Sequence, residues 1–163
     1  GKLEPERLVT RGEMARIIAR MSDWSEFHQH VFFGDGDEAT FTFADVDQTH
    51  PLFGVIQKNL RNGYIAREGQ NFEPERPITR AEAAEMLARL LGYEELLDNP
   101  ELFVPVFSDL QKEQVPAVSI LHAEGIFPGK STERFEPDSA LTRAEVAQLV
   151  QALIEYKEKA NES

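Results

Sequence analysis

The chain has 163 residues and is 41% hydrophobic, enough to bury the core of one compact unit. Its 17 basic residues against 29 acidic ones leave a net charge of -12, which argues against wrapping nucleic acid, because duplex affinity rests on neutralising phosphates with Lys and Arg. With no cysteine there is no disulfide framework and no thiolate metal site, and no apolar run approaches the ~20 residues of a membrane span.

Residues 1–21 read as an extended entry through Pro5, a cap at Thr10, and a helix with Met14, Ile17, Ile18 and Met21 at helical spacing. Over 22–42, Trp24, Phe27, Val31, Phe32 and Phe33 predict a helix extension or second short helix covering one end of the core, followed by a loop at Gly34-Asp35-Gly36-Asp37-Glu38. Phe43-Ala44-Asp45-Val46 opens a second unit. There Pro51 suits a first helical turn, Leu52, Val55, Ile56 and Leu60 make a short amphipathic helix, and Gly63 suits a left-handed C-cap. Tyr64-Ile65 and a loop lead to Phe72-Glu73-Pro74 and a helix from Thr79 to about Leu91. Gly92, Pro100 and Pro105 mark a connector. A third unit repeats the second: Phe107-Ser108-Asp109-Leu110, Pro116, a helix with Val118 and Leu121, Gly125-Ile126, Phe135-Glu136-Pro137, and a helix from Thr142 to about Tyr156. The charged tail from Lys157 to Ser163 is expected to fray.

One frame recurs three times, as Glu4-Pro5-Glu6-Arg7-Leu8-Val9-Thr10-Arg11-Gly12-Glu13, Glu73-Pro74-Glu75-Arg76-Pro77-Ile78-Thr79-Arg80-Ala81-Glu82 and Glu136-Pro137-Asp138-Ser139-Ala140-Leu141-Thr142-Arg143-Ala144-Glu145. Thr followed three residues later by Glu is a capping box, so each copy starts a helix. The Thr residues are 69 (79 minus 10) and 63 (142 minus 79) positions apart, a period that fits a small closed array in which no unit buries its apolar face alone. The expected fold is all-α, with the three capped helices as a central pseudo-threefold bundle and the short helices outside.

The order Phe-x-Asp, short helix, Gly-Ile, loop, Phe-x-Pro and (Ile/Leu)-Thr-Arg-Ala-Glu resembles the S-layer homology domain, usually found as three tandem copies. On this resemblance residues 1–42 are a partial first repeat with a linker, 43–93 a second repeat, 94–106 a connector, and 107–163 a third repeat with its tail. The resemblance implies an extracellular, non-catalytic, cofactor-free module that anchors a larger protein to a bacterial cell wall. Its partner would be an anionic, pyruvylated secondary cell-wall polysaccharide bound in grooves between repeats. It implies ligand contact by Arg11, Arg80 and Arg143, by Asp45 and Asp109, and at Gly129 in the loop of the last copy.

The chemistry is reasonable, since a guanidinium pairs with a carboxylate in bidentate fashion and a first-turn Arg would join its charge to the helix dipole and free amides. Other roles stay open. The three Arg can be solvated, or can pair with a carboxylate of the neighbouring unit; Asp45 and Asp109 can be turn residues; Glu13, Glu82 and Glu145 read as capping only. The sequence also departs from the family. The aromatic platform at the start of the short helix is missing, with His50-Pro51 in its place in one copy, and Arg67 stands where the last copy has Gly129. The first unit lacks its Phe-x-Asp and short helix, which leaves three origins open: a chain that starts inside a longer protein, an incomplete groove, or a helix supplied by another chain. A repeat scaffold acting through protein contacts is the alternative function.

His28-Gln29-His30 beside Asp35 and Asp37 lacks a third ligand at fixed spacing and is read as a solvated loop, not a metal site. No signal peptide is written at Gly1, so for a secreted protein the signal is expected outside this stretch. No nucleophile, P-loop or zinc motif supports catalysis, and no carboxylate pair stands out for glycoside hydrolysis.

Overall fold

A helix start leaves its first amides without intrahelical partners, and this chain fills them in the same way three times. The structure, a computed structural model, describes residues 4–23 and 41–162. Thr10, Thr79 and Thr142 each begin a helix: α1 (Arg11–Ser22), α3 (Arg80–Leu90) and α6 (Arg143–Glu162). In each, the Thr hydroxyl accepts the amide of the Glu three residues on (3.0, 3.1 and 3.2 Å), and that carboxylate accepts the Thr amide (3.0, 2.9 and 3.0 Å).

The next two amides of each helix go to another unit. Arg11 N donates to Arg76 O and Gly12 N to Pro74 O; Arg80 N donates to Ser139 O and Ala81 N to Pro137 O; Arg143 N donates to Arg7 O and Ala144 N to Pro5 O. Just before the caps, Val9 N donates to Leu141 O (2.9 Å), Leu141 N to Ile78 O (3.3 Å) and Ile78 N to Val9 O (2.9 Å). These three bonds form a closed ring, with the buried side chains of Val9, Ile78 and Leu141 beside it. The three motif segments meet there through isolated antiparallel bridges, and among the described residues there is no strand.

Two outer helices, α2 (Phe53–Arg61) and α5 (Val115–Ala123), complete units two and three, and each packs on the capped helix of the preceding unit, α2 on α1 and α5 on α3. Close approach is possible because the facing residues are small. Ala15 and Ala19 are buried, and their carbonyls accept from Asn59 Nδ2 (2.9 Å) and Lys58 Nζ (3.3 Å). Gly63 and Gly125, at φ 78° and 73°, end the two outer helices in the left-handed region that a side chain would strain. The core joins Met14, Ile18, Ile56, Tyr64, Leu87, Leu90, Leu121, Phe127 and Leu153. Among the described residues no helix packs closely along α6, whose Ala147 and Gln151 are exposed where α1 buries Ala15 and Ala19.

The all-α expectation holds, and three details differ. Pro51 sits in a turn ahead of α2, where His50 Nδ1 accepts the Leu52 amide, so it is not in the first helical turn. The connector is partly helical: α4 (Glu94–Leu97) buries Leu97, and a 3-10 turn forms at Pro100–Leu102. The tail does not fray at Lys157; α6 continues to Glu162, consistent with the strong helix formers Lys, Glu and Ala there. The aromatic stretch from Trp24 to Phe33, the loop after it and His28-Gln29-His30 lie outside the described residues.

The correspondence of Ala15 with Ala147 gives a paired expectation. Ala15→Leu is expected to cost about 1–3 kcal/mol by overpacking the α1–α2 contact, whereas Ala147→Leu on the open face of α6 is expected to stay within about 0.5 kcal/mol of the parent. Urea denaturation of the two variants checks this.

Candidate functional site

The Phe-Glu-Pro turn before each of the last two caps is held by the Asp that opens the same repeat. Asp45 Oδ1 accepts the Phe72 amide (2.8 Å) and its Oδ2 the Glu73 amide (2.7 Å). Asp109 repeats this with Phe135 (2.9 Å) and Glu136 (2.8 Å). The bonds hold Glu73 and Glu136 at φ 59° and 60°, a left-handed backbone uncommon outside glycine. At Asp109, desolvation works to raise the carboxyl, but the amides of Phe135 and Glu136 outweigh it and hold it below the usual Asp value. Both oxygens of each Asp are therefore engaged in holding the turn.

Those turns receive the motif arginines of the preceding unit. Arg80 has a side chain only 5% exposed, between the rings of Phe127 and Phe135 at 4.8 and 4.5 Å. Its Nε donates to Phe135 O (2.8 Å), its Nη2 to Pro128 O (2.7 Å), and its Nη1 lies 3.7 Å from Glu145 Oε2. Arg11 is placed alike over Phe72 at 4.6 Å, with Nε donating to Phe72 O (2.7 Å) and Nη1 to Glu82. It has one ring instead of two because Ile65 stands where the last repeat has Phe127. Burial pushes both guanidinium groups down from their usual value, with Glu82 opposing this at Arg11 and Glu145 at Arg80.

The capping glutamates do more than cap. Glu82 accepts from Arg11, from Arg76 and from the Thr79 amide. Desolvation works to raise its carboxyl, but the hydrogen bonds from Arg76 and Thr79 and the charge of Arg11 bring it below the ordinary Glu value. Glu145 pairs with Lys130 at 3.1 Å as well as with its own cap.

Gly129 lies with Arg80, Pro128 and Lys130 along a groove of about 290 Å³. A Cβ at Gly129 would come within 2.3 Å of the Phe107 ring, so packing alone demands glycine here. A second groove carries Glu68, Glu82, Glu85, Asp98 and Glu113 against a single cation, Arg89.

Arg143 differs from its two counterparts. The turn that would receive it belongs to the first unit, and its side chain is exposed, with no hydrogen bond or ion pair among the described residues. It lines a groove of about 510 Å³ between α1 and α6, floored by Val9, Ile17, Val146 and Val150. Arg16 and Arg20 line the same groove and are likewise exposed and unpaired among the described residues.

The sequence-derived set is thus brought together in pairs. Arg11 with Asp45 forms one interlock, and Arg80 with Asp109 and Gly129 forms another. The amides expected to be free at the helix starts are all occupied by backbone carbonyls and Thr hydroxyls. Arg16 and Arg20 were missed because they lie outside the repeated frame. Their signal was a pair of cations four apart on one helix face, at positions held by Glu85 and Arg89 in unit two and by Gln148 and Ala152 in unit three.

The comparisons agree with this internal symmetry. Similar proteins include Cell surface glycoprotein 1 of Acetivibrio thermocellus, 42% identical over 82 residues, covering 49% of this chain and 4% of that protein. The Cellulosome-anchoring protein of the same species is 36% identical over 89 residues, covering 53% and 20%. Exoglucanase XynX of Acetivibrio thermocellus is 28% identical over 160 residues, covering 93% and 13%. The chain thus spans a fifth or less of each of these relatives. The sequence profile of the S-layer homology domain matches residues 42–84 and 106–147, two segments that each run from the opening Asp turn into the capped helix; the chain belongs to the S-layer homology domain family.

Proposed function

We propose that this chain is a non-catalytic module that holds a larger extracellular protein on a bacterial cell wall by binding an anionic, pyruvylated secondary wall polysaccharide. The match of residues 42–84 and 106–147 to the family carries this reading. The relatives support it, since one is named a cellulosome-anchoring protein and another a cell surface glycoprotein, each far longer than the matched stretch. The enzyme name of a third does not transfer, because the chain corresponds to 13% of it and no catalytic pair was found in the sequence. A guanidinium left unpaired in a groove is the chemistry that reads a ketal carboxylate.

A second reading, a scaffold for protein contacts, is favoured by one observation. Leu102, Val104 and Val106 in the connector are exposed at 65%, 85% and 44% of their surface.

Four outcomes are expected. The chain should sediment with purified cell-wall sacculi that carry pyruvylated polysaccharide and stay in solution with sacculi stripped of it; equal sedimentation with both would sink the proposal. Arg80→Ala should lower unfolding free energy by about 3 kcal/mol or more, because two carbonyls and Glu145 lose a buried cation, and Arg80→Lys should not restore it, lacking the planar fork. Arg143→Ala should change stability by less than about 0.5 kcal/mol; chemical denaturation separates the three variants.

The last outcome concerns acid. Glu82 has a folded pKa below its ordinary value of 4.5, so its contribution is present above that value and is lost as the pH falls through the folded one. Glu82→Gln should therefore be less stable than the parent at pH 7, with the gap closing as the pH falls from the ordinary Glu value through the lower folded one. Denaturation at a series of pH values tests the sign.

A further inference from the structure

We propose that residues 102–106 of the connector form a docking edge for a partner protein, taking up an extended segment that alternates apolar and basic residues as an added β-strand. This goes beyond the wall-anchoring reading and rests on the protein-contact one, to which it gives a place and an occupant.

The apolar surface is concentrated and in register. Of the four large hydrophobic side chains exposed among the described residues, Leu8 stands alone, and Leu102, Val104 and Val106 fall at every second position of one stretch. Phe103 between them is half-buried, and Phe107 is buried with its ring 5.5 Å from that of Phe135. That alternation is the period of a strand with one face open. Phe103 has extended backbone at φ -119° and ψ 143°, and Pro105 disfavours the helical region at Val104.

The backbone groups of a strand need partners, and here they have none. The Phe103 amide donates to Pro100 O (3.1 Å) and the Ser108 amide to Glu133 O (2.8 Å); between them, Val104 and Val106 make no hydrogen bond among the described residues. In an extended chain the amides and carbonyls of residues 104 and 106 face one edge, and those of 103 and 105 the other. The second edge is closed to donation, because the Phe103 amide is engaged and Pro105 has none. One edge is left, with two donors and two acceptors, tied down on both sides before any partner arrives. That ordering lowers the entropic cost of pairing.

Charge selects the occupant. From Glu94 to Phe107 the chain carries Glu94, Glu95, Asp98 and Glu101 and no Lys or Arg. The turn at Pro100–Leu102 packs against a 3-10 turn at Lys112–Gln114, which adds Glu113, and Asp98 and Glu113 line the acidic groove described above. Lys112 is the one cation these two turns contribute, and Arg89 already faces Glu94 at 3.9 Å. A second copy of this chain would set the same carboxylates against one another. A segment that interleaves Lys or Arg with Val or Ile meets the apolar side chains and the carboxylates together.

The test uses the whole chain and an end-blocked, alternating lysine–valine octapeptide at one fixed salt concentration. Binding is followed by fluorescence anisotropy of the labelled peptide and by hydrogen exchange of the Val104 and Val106 amides. Saturable binding is expected, with exchange at both amides slowed at least about tenfold, as for amides drawn into a ladder. Val104→Lys is expected to bind at least about tenfold more weakly, through loss of a buried valine and an added like charge, at an unchanged melting temperature. Asn161→Lys, the same charge change near the far end of α6, is expected to bind as the parent does. Equal binding by a peptide of the same composition with its lysines grouped at one end, or by one N-methylated at every amide, would reduce the contact to loose charge attraction and overturn the edge. Equal binding by a glutamate–valine octapeptide would overturn the basic partner. Exchange at Val104 and Val106 that slows as the chain alone is concentrated would make a second copy the occupant instead. No binding of the lysine–valine peptide overturns the proposal, and because no wall material enters the experiment, the anchoring reading stands or falls separately.

Discussion

The interaction on which the structure depends is the donation of helix-start amides to another unit's turn. A capping box satisfies one amide inside the helix and one ahead of it, which leaves the first two helical amides needing acceptors. Here those acceptors are Arg76 O and Pro74 O for α1, Ser139 O and Pro137 O for α3, and Arg7 O and Pro5 O for α6. The prolines fit this arrangement. They lack an amide, and the carbonyl each presents is the one that the capped helix of the preceding unit around the ring requires.

The same interface explains why a cation stands at the first position of each helix, where the dipole disfavours it by a few tenths of a kcal/mol. At Arg11 and Arg80 the cost is offset by carbonyls, a carboxylate and ring faces of the following repeat. Asp45 and Asp109 stand behind this, because the turn that presents the Phe72 or Phe135 carbonyl exists only while the Asp carboxylate holds the left-handed Glu. A motif that resembles a binding signature is thus, in two of three copies, a fastening between units. The third copy, at Arg143, keeps the residue without such a fastening among the described residues.

Much of this was legible in the sequence, for local reasons. Thr-x-x-Glu, the Glu-Pro ahead of it and glycine after a short amphipathic run are signals whose physics lies within ten residues, and the structure has α1, α3 and α6 starting where they point. What was not legible depends on the other units. Nothing near Arg80 announces that Pro128 and Phe135, 48 and 55 residues away, will consume its donors. Glu82 reads as a cap, and its partnership with Arg11 comes from 71 positions upstream. The charge of the tail points to fraying, but the helix propensity of its Lys, Glu and Ala carries α6 on to Glu162. Arg16 and Arg20 occur once and have no counterpart pair in the other two units, so the repeated frame does not point to them.

The ring of three backbone bonds among Val9, Ile78 and Leu141 distinguishes this chain from an open solenoid. In a linear array the end repeats have one neighbour and need polar caps, and stability grows by increments as units are added. In a ring every unit has two neighbours and the last contact joins residue 9 to residue 141, so it forms only once all three segments are in place. The entropy of closing that long loop is spent before the final bonds return anything. Partial assemblies therefore gain little, and loss of one segment removes two of the three ring bonds at once. Such an array is closed or open as a whole.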